Sequence, residues 1–252
     1  MGFDRKAFVT FHGEMSWLRK LGLETFRWMN PKWEMEILDL PVIPELPGMT
    51  TAQRSDMARY QKMSQDGGLY FDTDIIWLKP IPEEWREIDV GVTIDPVFRF
   101  SNIGLLVGSP NRFWSDVYEA AIKRYKSAGN KTGYQLLGVN MLNRMFWNDL
   151  LLLSEPEFEG AFEAVARHYP ELKWKNFEEK AICPINWSVA QKLHRELPFV
   201  LPTNSYGVHW FGGHEESKEF EKWVTPFNFH ERTTYLTRAI RAGMARVRPM
   251  VM

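Results

Sequence analysis

The stretch that most constrains the fold is Ser55 to Pro80, SDMARYQKMSQDGGLYFDTDIIWLKP. It reads as a helix over Thr51 to Gln65, a glycine stop, and a strand that ends in two carboxylates. Asp56 and Arg59 are three apart, so on a helix they share one face. Gly67 and Gly68 stand where a helix C-cap belongs, because glycine takes positive φ without steric cost. Leu69, Tyr70 and Phe71 suit a buried strand. Asp72, Thr73 and Asp74 follow. In an extended chain residues two apart point the same way, so both carboxylates are expected to face one spot. Ile75 to Leu78 resume the apolar run and Pro80 closes it.

Two carboxylates at the end of a buried strand repel each other, and desolvation raises their pKa values. A divalent cation relieves both costs, and hard oxygen ligands suit magnesium, calcium or manganese better than zinc or copper. A bare D-x-D also suits an ordinary turn with solvated carboxylates.

The wider pattern, S-D-x-x-R followed by G-G-x-Y-x-D-x-D over Ser55 to Asp74, resembles the glycosyltransferases that carry the DXD sugar-binding region. These include α-1,6-mannosyltransferases, lactosylceramide α-galactosyltransferases and capsular polysaccharide transferases, with the glucosylating domains of large clostridial toxins as more distant relatives. The resemblance implies a GT-A type α/β fold, a mostly parallel sheet with helices on both faces. It implies one catalytic domain over residues 1–252. The Mn2+ (or Mg2+) cofactor would be held by Asp72 and Asp74. Asp56 and Arg59 would contact the donor sugar, with Tyr70 beside the nucleotide; without the resemblance they read as a surface ion pair, worth little.

Other segments match the family less closely. Ala7 to Phe11 reads as the first strand and ends at His12-Gly13. Members of the family place a base-contacting turn here, so Phe11 and His12 are candidate donor contacts, with Phe11 where tryptophan is usual. Ser16 to Met29 has a helical apolar face of Trp17, Leu18, Leu21 and Phe26, and Asn30-Pro31 stops it. Trp33 to Leu38 alternates as a strand. Strands are also expected over Ile88–Ile94 and Gly104–Val107, a strand followed by a loop over Ala181–Trp187, and helices over Asn111–Tyr125, Leu136–Leu153 and Phe162–Tyr169. Asn102, ahead of the strand at Gly104, is a candidate contact to the donor sugar or a turn residue. Lys131 to Gln135 resembles the family's T-G-P turn near the acceptor, which makes Gln135 the candidate polar group under the anomeric carbon; otherwise the turn opens a helix with Thr132 as its cap. Tyr206-Gly207-Val208-His209-Trp210 resembles the closing segment of the family's catalytic domain. There His209 would supply the third metal ligand and Trp210 would touch the donor, with His214 and Glu215 as fallback ligands. The second tryptophan of that segment is missing.

The charge balance of −1 creates no field that favours nucleic acid. One cysteine, Cys183, excludes an internal disulfide and fits a reducing compartment. No leader is visible and no window of about 18 apolar residues exists. A cytoplasmic enzyme, or a trimmed catalytic domain, is expected. The basic tail from 230 to 252, with apolar residues at helical spacing, can lie on an anionic membrane surface or pack on the domain as a solvated helix.

The expected activity is retaining transfer of a hexose from a nucleoside diphosphate sugar, UDP- or GDP-linked, to a hydroxyl of a glycan or glycoconjugate acceptor. The alternatives are a nucleotide-sugar binding module without turnover, against which the intact Asp56, Arg59, Asp72 and Asp74 argue, and a metal-dependent phosphohydrolase, for which no second His and Asp cluster supplies a two-metal site.

Overall fold

A computed structural model of the chain describes residues 2–40, 46–95, 100–128, 136–144 and 161–247. In chain order the strands are β1 (Lys6–Thr10), β2 (Glu34–Leu38), β3 (Gly68–Phe71), β4 (Ile75–Trp77), β5 (Val90–Asp95), β6 (Phe100–Gly108), β7 (Trp174–Asn176) and β8 (Gly207–His209). The α-helices are α1 (Trp17–Met29), α2 (Thr51–Gln65), α3 (Arg112–Ala128), α4 (Val139–Arg144), α5 (Ala161–Arg167), α6 (Glu215–Trp223) and α7 (Tyr235–Val247). They fall into two compact units. One takes Met1–His12, Glu34–Phe71 and Glu83–Glu178; the other takes Gly13–Trp33, Asp72–Pro82 and Glu179–Met252.

The first unit is an α/β layer structure. Its six-stranded sheet runs β2-β1-β3-β6-β5-β7. Strand β6 is antiparallel to both neighbours, and the other three pairings are parallel. Alternation sends Phe8, Tyr70 and Leu106 to one face, where they meet Met57, Tyr60 and Met63 of α2 and Phe113, Val117 and Ala121 of α3. Each such fully buried side chain contributes about 1.5–3 kcal/mol relative to exposure. Ala7, Val9, Leu69, Phe71, Leu105 and Val107 alternate with them and are also buried. A sheet buried on both faces is the condition under which parallel strands are stable.

Helix α2 has the bounds its sequence predicts. Thr50 and Gln53 close a capping box at its start. At its end the Gly67 N–H returns to the Lys62 carbonyl, and Gly67 takes φ +65°. A Cβ there would stand 2.4 Å from the Gly108 carbonyl oxygen, so the stop needs glycine twice over.

The second unit is built on the antiparallel pair β4–β8, in the register Ile75↔His209, Ile76↔Val208, Trp77↔Gly207. Helix α1 packs on β4: Thr25 Oγ1 accepts from the Trp77 N–H at 3.0 Å and donates to the Gly22 carbonyl at 2.7 Å. Asn30 ends α1 by donating from its side chain to the Phe26 carbonyl and accepting from the Ile81 N–H. Leu236, Ala239 and Ile240 of α7 are fully buried, and α7 packs on α1 and β4. The apolar stripe of the basic tail is thus spent inside this unit. Among the described residues no helix is long and apolar enough to cross a membrane.

Four readings change. Strand β2 starts at Glu34 and forms an edge, so Ile37 stays exposed despite its alternation. Strand β6 begins at Phe100, which puts the Asn102 backbone in the ladder opposite Thr93, not in a turn. Ala181–Trp187 is not a strand: a 3-10 turn covers Glu179–Ala181, and Pro184 has no N–H for a ladder. Its carbonyls still serve β8, accepting from Tyr206 N–H at Ala181 and from His209 N–H at Ile182. Of the helix predicted over Leu136–Leu153, α4 occupies Val139–Arg144, and 145–153 lie outside the described residues.

Candidate active site

The two carboxylates come together by a route the strand pattern does not give. Strand β3 ends at Phe71, β4 starts at Ile75, and Asp72-Thr73-Asp74 form the turn between them. An extended chain would bury or expose both carboxylates alike. The turn leaves Asp72 half-buried and Asp74 buried, and it buries Thr73 as well. The β4–β8 register then sets the third group: His209 lies opposite Ile75, the residue after Asp74, and the Trp210 N–H donates to the Asp74 carbonyl at 3.0 Å. One ligand atom from each of Asp72, Asp74 and His209 lies within 4.8 Å of the others.

Asp74 is held from several sides. Its Oδ1 is 3.1 Å from His209 Nε2, and its Oδ2 accepts from the Gly212 N–H at 2.6 Å. Phe211, at φ +53°, is the one non-glycine residue with positive φ among the described residues. That turn, an uncommon conformation for a bulky residue, precedes the Gly212 N–H that Asp74 accepts. A Cβ on Gly212 would lie 2.4 Å from Arg19 Nη2 and 3.2 Å from Asp74 Oδ2, so a side chain there would have to displace the Arg19 guanidinium. His209 Nδ1, on the other side of the ring, is 3.6 Å from Cys183 Sγ.

Sequence reasoning missed the residues that surround this turn. Arg19 forks onto Glu221 through Nε (2.7 Å) and Nη2 (3.2 Å), and its Nη1 donates to Thr73 Oγ1 at 2.5 Å. Ser16, the N-cap of α1, donates to the same carboxylate at 2.7 Å. Arg19 reads as one more polar position on α1, and only the fold shows that Glu221 meets it. Burial, the largest influence on both members of the central pair, would push the Asp74 carboxyl up and His209 down. Their mutual attraction outweighs it, helped by Arg19 and the Gly212 N–H for Asp74 and by Cys183 for His209. Asp74 is therefore held well below the usual carboxylate range and His209 well above the usual imidazole range.

This arrangement suits a hard divalent cation. With His209 neutral, Asp72, Asp74 and Glu221 against Arg19 leave two negative charges. Two neighbouring ligands of a six-coordinate cation with bonds near 2.1 Å lie about 3 Å apart, the spacing found between Asp74 Oδ1 and His209 Nε2. His214 and Glu215 are not in the group: His214 is the N-cap of α6 and Glu215 its first residue.

The first unit holds the other candidates. Asp56 and Arg59 are buried at 4% and 6% exposure and paired at 3.1 Å, not a surface pair. The guanidinium lies over the Tyr70 ring at 4.4 Å, and Arg59 Nη2 reaches Ser55 Oγ at 3.4 Å. Thr10 Oγ1 bonds to Ser55 Oγ and lies 3.3 Å from the Tyr70 hydroxyl. Phe11 is half-buried and His12 exposed at the end of β1. In the second unit Trp210 is fully buried, and its indole N–H has no acceptor among the described residues. Gln135 lies outside the described residues.

The sequence model of the family described as "Glycosyltransferase sugar-binding region containing DXD motif" matches residues 19–90. No curated protein matches the chain. Among solved structures, the galactosyltransferase LgtC in complex with donor and acceptor sugar analogues is similar at 12% identity and TM-score 0.46, over 90% of this chain and 99% of that one. The glycosyltransferase GlyE of Streptococcus pneumoniae TIGR4 is similar at 11% identity and TM-score 0.47, over 97% of this chain and 62% of that one. PaToxG glycosyltransferase is similar at 16% identity and TM-score 0.44, over 68% and 81%. The family match takes in α2, the turn with both aspartates and Arg19 at its first residue. Residues 19–90 are thus similar to a glycosyltransferase sugar-binding region with its DXD motif.

Proposed function

We propose that the chain is a metal-dependent, retaining glycosyltransferase of GT-A type, acting as one catalytic domain in the cytoplasm. It would move a hexose from a UDP- or GDP-linked donor to a hydroxyl of a glycan or glycoconjugate. The observation that carries this reading is the gathering of Asp72, Asp74 and His209 within 4.8 Å, with the two aspartates inside the DXD region.

Asp72, Asp74 and His209 would hold Mn2+ or Mg2+, which supplies Lewis acidity toward the departing diphosphate when bound. The residues of the chain do the rest. Arg19, forked onto Glu221, holds the Thr73 hydroxyl and so fixes the turn that aims both aspartates. A group held this way needs little reorganisation on ligand binding. Asp56 and Arg59 hold sugar hydroxyls, and Tyr70, Phe11 and His12 line the nucleotide. Trp210, fully buried, would support donor binding through the segment it shares with His209. Asn102 and Gln135 are the further candidates for polar contacts to the transferred sugar. The anomeric C–O bond to the diphosphate breaks and a new one forms to the acceptor oxygen. The acceptor proton departs with the nucleoside diphosphate. The arginines of the tail, outside the buried stripe of α7, would make a peripheral contact with an anionic membrane surface.

The test is thermal unfolding with UDP, GDP and their hexose conjugates, with Mn2+ or with a chelator. A ligand that binds only the folded state adds about 2.7 kcal/mol at a hundred times its Kd. The expected result is a midpoint rise that needs both a nucleotide and the cation. Equal rises in chelator would defeat the metal role, and no rise with any nucleotide would defeat the reading.

A further inference from the structure

The described tryptophans are buried or half-buried, with one exception. Among the described residues Trp187 is the only exposed tryptophan, at 44%. It opens a 3-10 segment, Trp187–His194. Its ring stands perpendicular to Phe211 (5.4 Å, 89°) and to His214 (5.6 Å, 82°). Phe211 in turn lies 4.5 Å from the His209 imidazole. An unbroken run of ring contacts therefore joins a candidate cation ligand to an indole that meets solvent. The contrast with other exposed apolar residues is sharp. Val200 and Phe227 are more exposed, at 69% and 83%, and single apolar residues on a surface are ordinary. Trp187 is instead held in a fixed plane by two edge contacts, a cost in rotamer freedom that an idle surface residue does not bear.

We infer that Trp187 is the platform on which a neutral pyranose ring of the acceptor glycan stacks. This rests on the glycosyltransferase reading and extends it to the acceptor. The C–H face of a pyranose is apolar with slightly positive hydrogens, and the indole face carries negative charge, so the two lie flat on each other. The surroundings favour a neutral polyol over a nucleobase bearing phosphates. His214, which braces the indole, is followed directly by the exposed Glu215 and by Glu216, which lies 3.5 Å from Arg195. Carboxylates accept hydrogen bonds from sugar hydroxyls and repel phosphate.

The probes are the methyl glycosides of glucose, galactose and mannose, followed by saturation-transfer NMR, with and without Mn2+ and UDP. At least one glycoside is expected to receive saturation on its ring C–H protons from the wild-type protein. Trp187→Ala should weaken that affinity about tenfold, the loss of a little over one kcal/mol of ring contact. Trp187→Phe should keep it within about threefold because a ring face remains. Phe227→Ala, a truncation at another exposed ring, should change nothing. Binding of UDP and GDP with Mn2+ should be the same in wild type and Trp187→Ala. The inference is overturned if no glycoside binds the wild-type protein, if the affinity survives in Trp187→Ala, or if the nucleotides lose affinity in that variant, which would put a base on the indole. Loss of Mn2+-dependent nucleotide binding in the wild-type protein defeats the glycosyltransferase reading separately, and the glycoside arm still decides Trp187.

Discussion

The Asp56–Arg59 pair and the Asp74 cluster are both buried and both charged, yet they are built on opposite terms. The first is local: two residues three apart on α2, paired at 3.1 Å, with the guanidinium resting on Tyr70. Its charges cancel. The second is assembled from α1, the β3–β4 turn, β8 and α6, and its charges do not cancel while His209 is neutral. A self-neutralised pair can be complete in the protein alone. A cluster left negative is incomplete until a cation or a proton joins it. Even the Asp56–Arg59 pair depends on its setting: Lys62, one turn further along α2, also bonds two carboxylates, Glu36 and Asp66, both of them on the surface, where such pairs are worth about 0–1 kcal/mol.

The largest test of that contrast is Asp74→Asn. It removes one ligand charge with little change in volume. Turnover and Mn2+-dependent nucleotide binding should fall by about three orders of magnitude, the scale of several kcal/mol of charge stabilisation. The protein should remain folded by circular dichroism, because an amide oxygen can still accept from Gly212. Wild-type turnover in this variant would show that the cluster is structural.

Next in size is a double-mutant cycle on α2. Arg59→Met alone leaves Asp56 buried without its partner and should cost about 3–5 kcal/mol of stability in urea unfolding. Asp56→Asn with Arg59→Met should recover a large part of that loss, since both charges are then gone. If Arg59 also holds the donor sugar, both variants lose affinity for the sugar nucleotide by about tenfold to a hundredfold, the value of a charged hydrogen bond, while the free nucleoside diphosphate keeps its own. A double variant no better than the single one would end the claim of local neutrality.

The smallest effect concerns acid. His194 is lowered to about 4, chiefly because burial disfavours its charged form and also through His214, Arg195 and Arg232, with Glu216 opposing. Its Nε2 meets Ser217 Oγ at 3.0 Å, and that hydroxyl donates to the Trp210 carbonyl. Below about 6.5 the unfolded chain binds a proton that the folded one refuses, so stability falls as pH drops from about 6.5 to about 4. His194→Gln should flatten this part of the Tm profile. A profile unchanged by the substitution would assign acid sensitivity elsewhere. Working with that variant also separates acid effects on the scaffold behind Trp210 from those on the metal cluster.

How much of this was legible in the chain follows the same division. The bounds of α2 were readable because its capping box and its Gly67-Gly68 stop are local. Asp72 and Asp74 were readable as a pair, but for a different reason than their geometry gives: a turn, not strand alternation, brings them together. His209 was a candidate through the segment around Trp210, and only the β4–β8 register puts it beside Asp74. Arg19 and Glu221 left no trace, since nothing within one turn of either tells that the other exists. Ala181–Trp187 looked like a strand because its apolar residues feed β8 through two carbonyls while Pro184 denies it a ladder of its own.

Cys183 is the only thiol in the chain, and it is 1% exposed with its sulfur against the inner nitrogen of His209. A reagent that alkylates thiols can reach it only when the protein around His209 opens. The rate of that reaction is therefore a clock for opening at this one place, readable on the unaltered protein without an attached probe, and its slowing under a bound ion or nucleotide would time how firmly each one shuts the cluster.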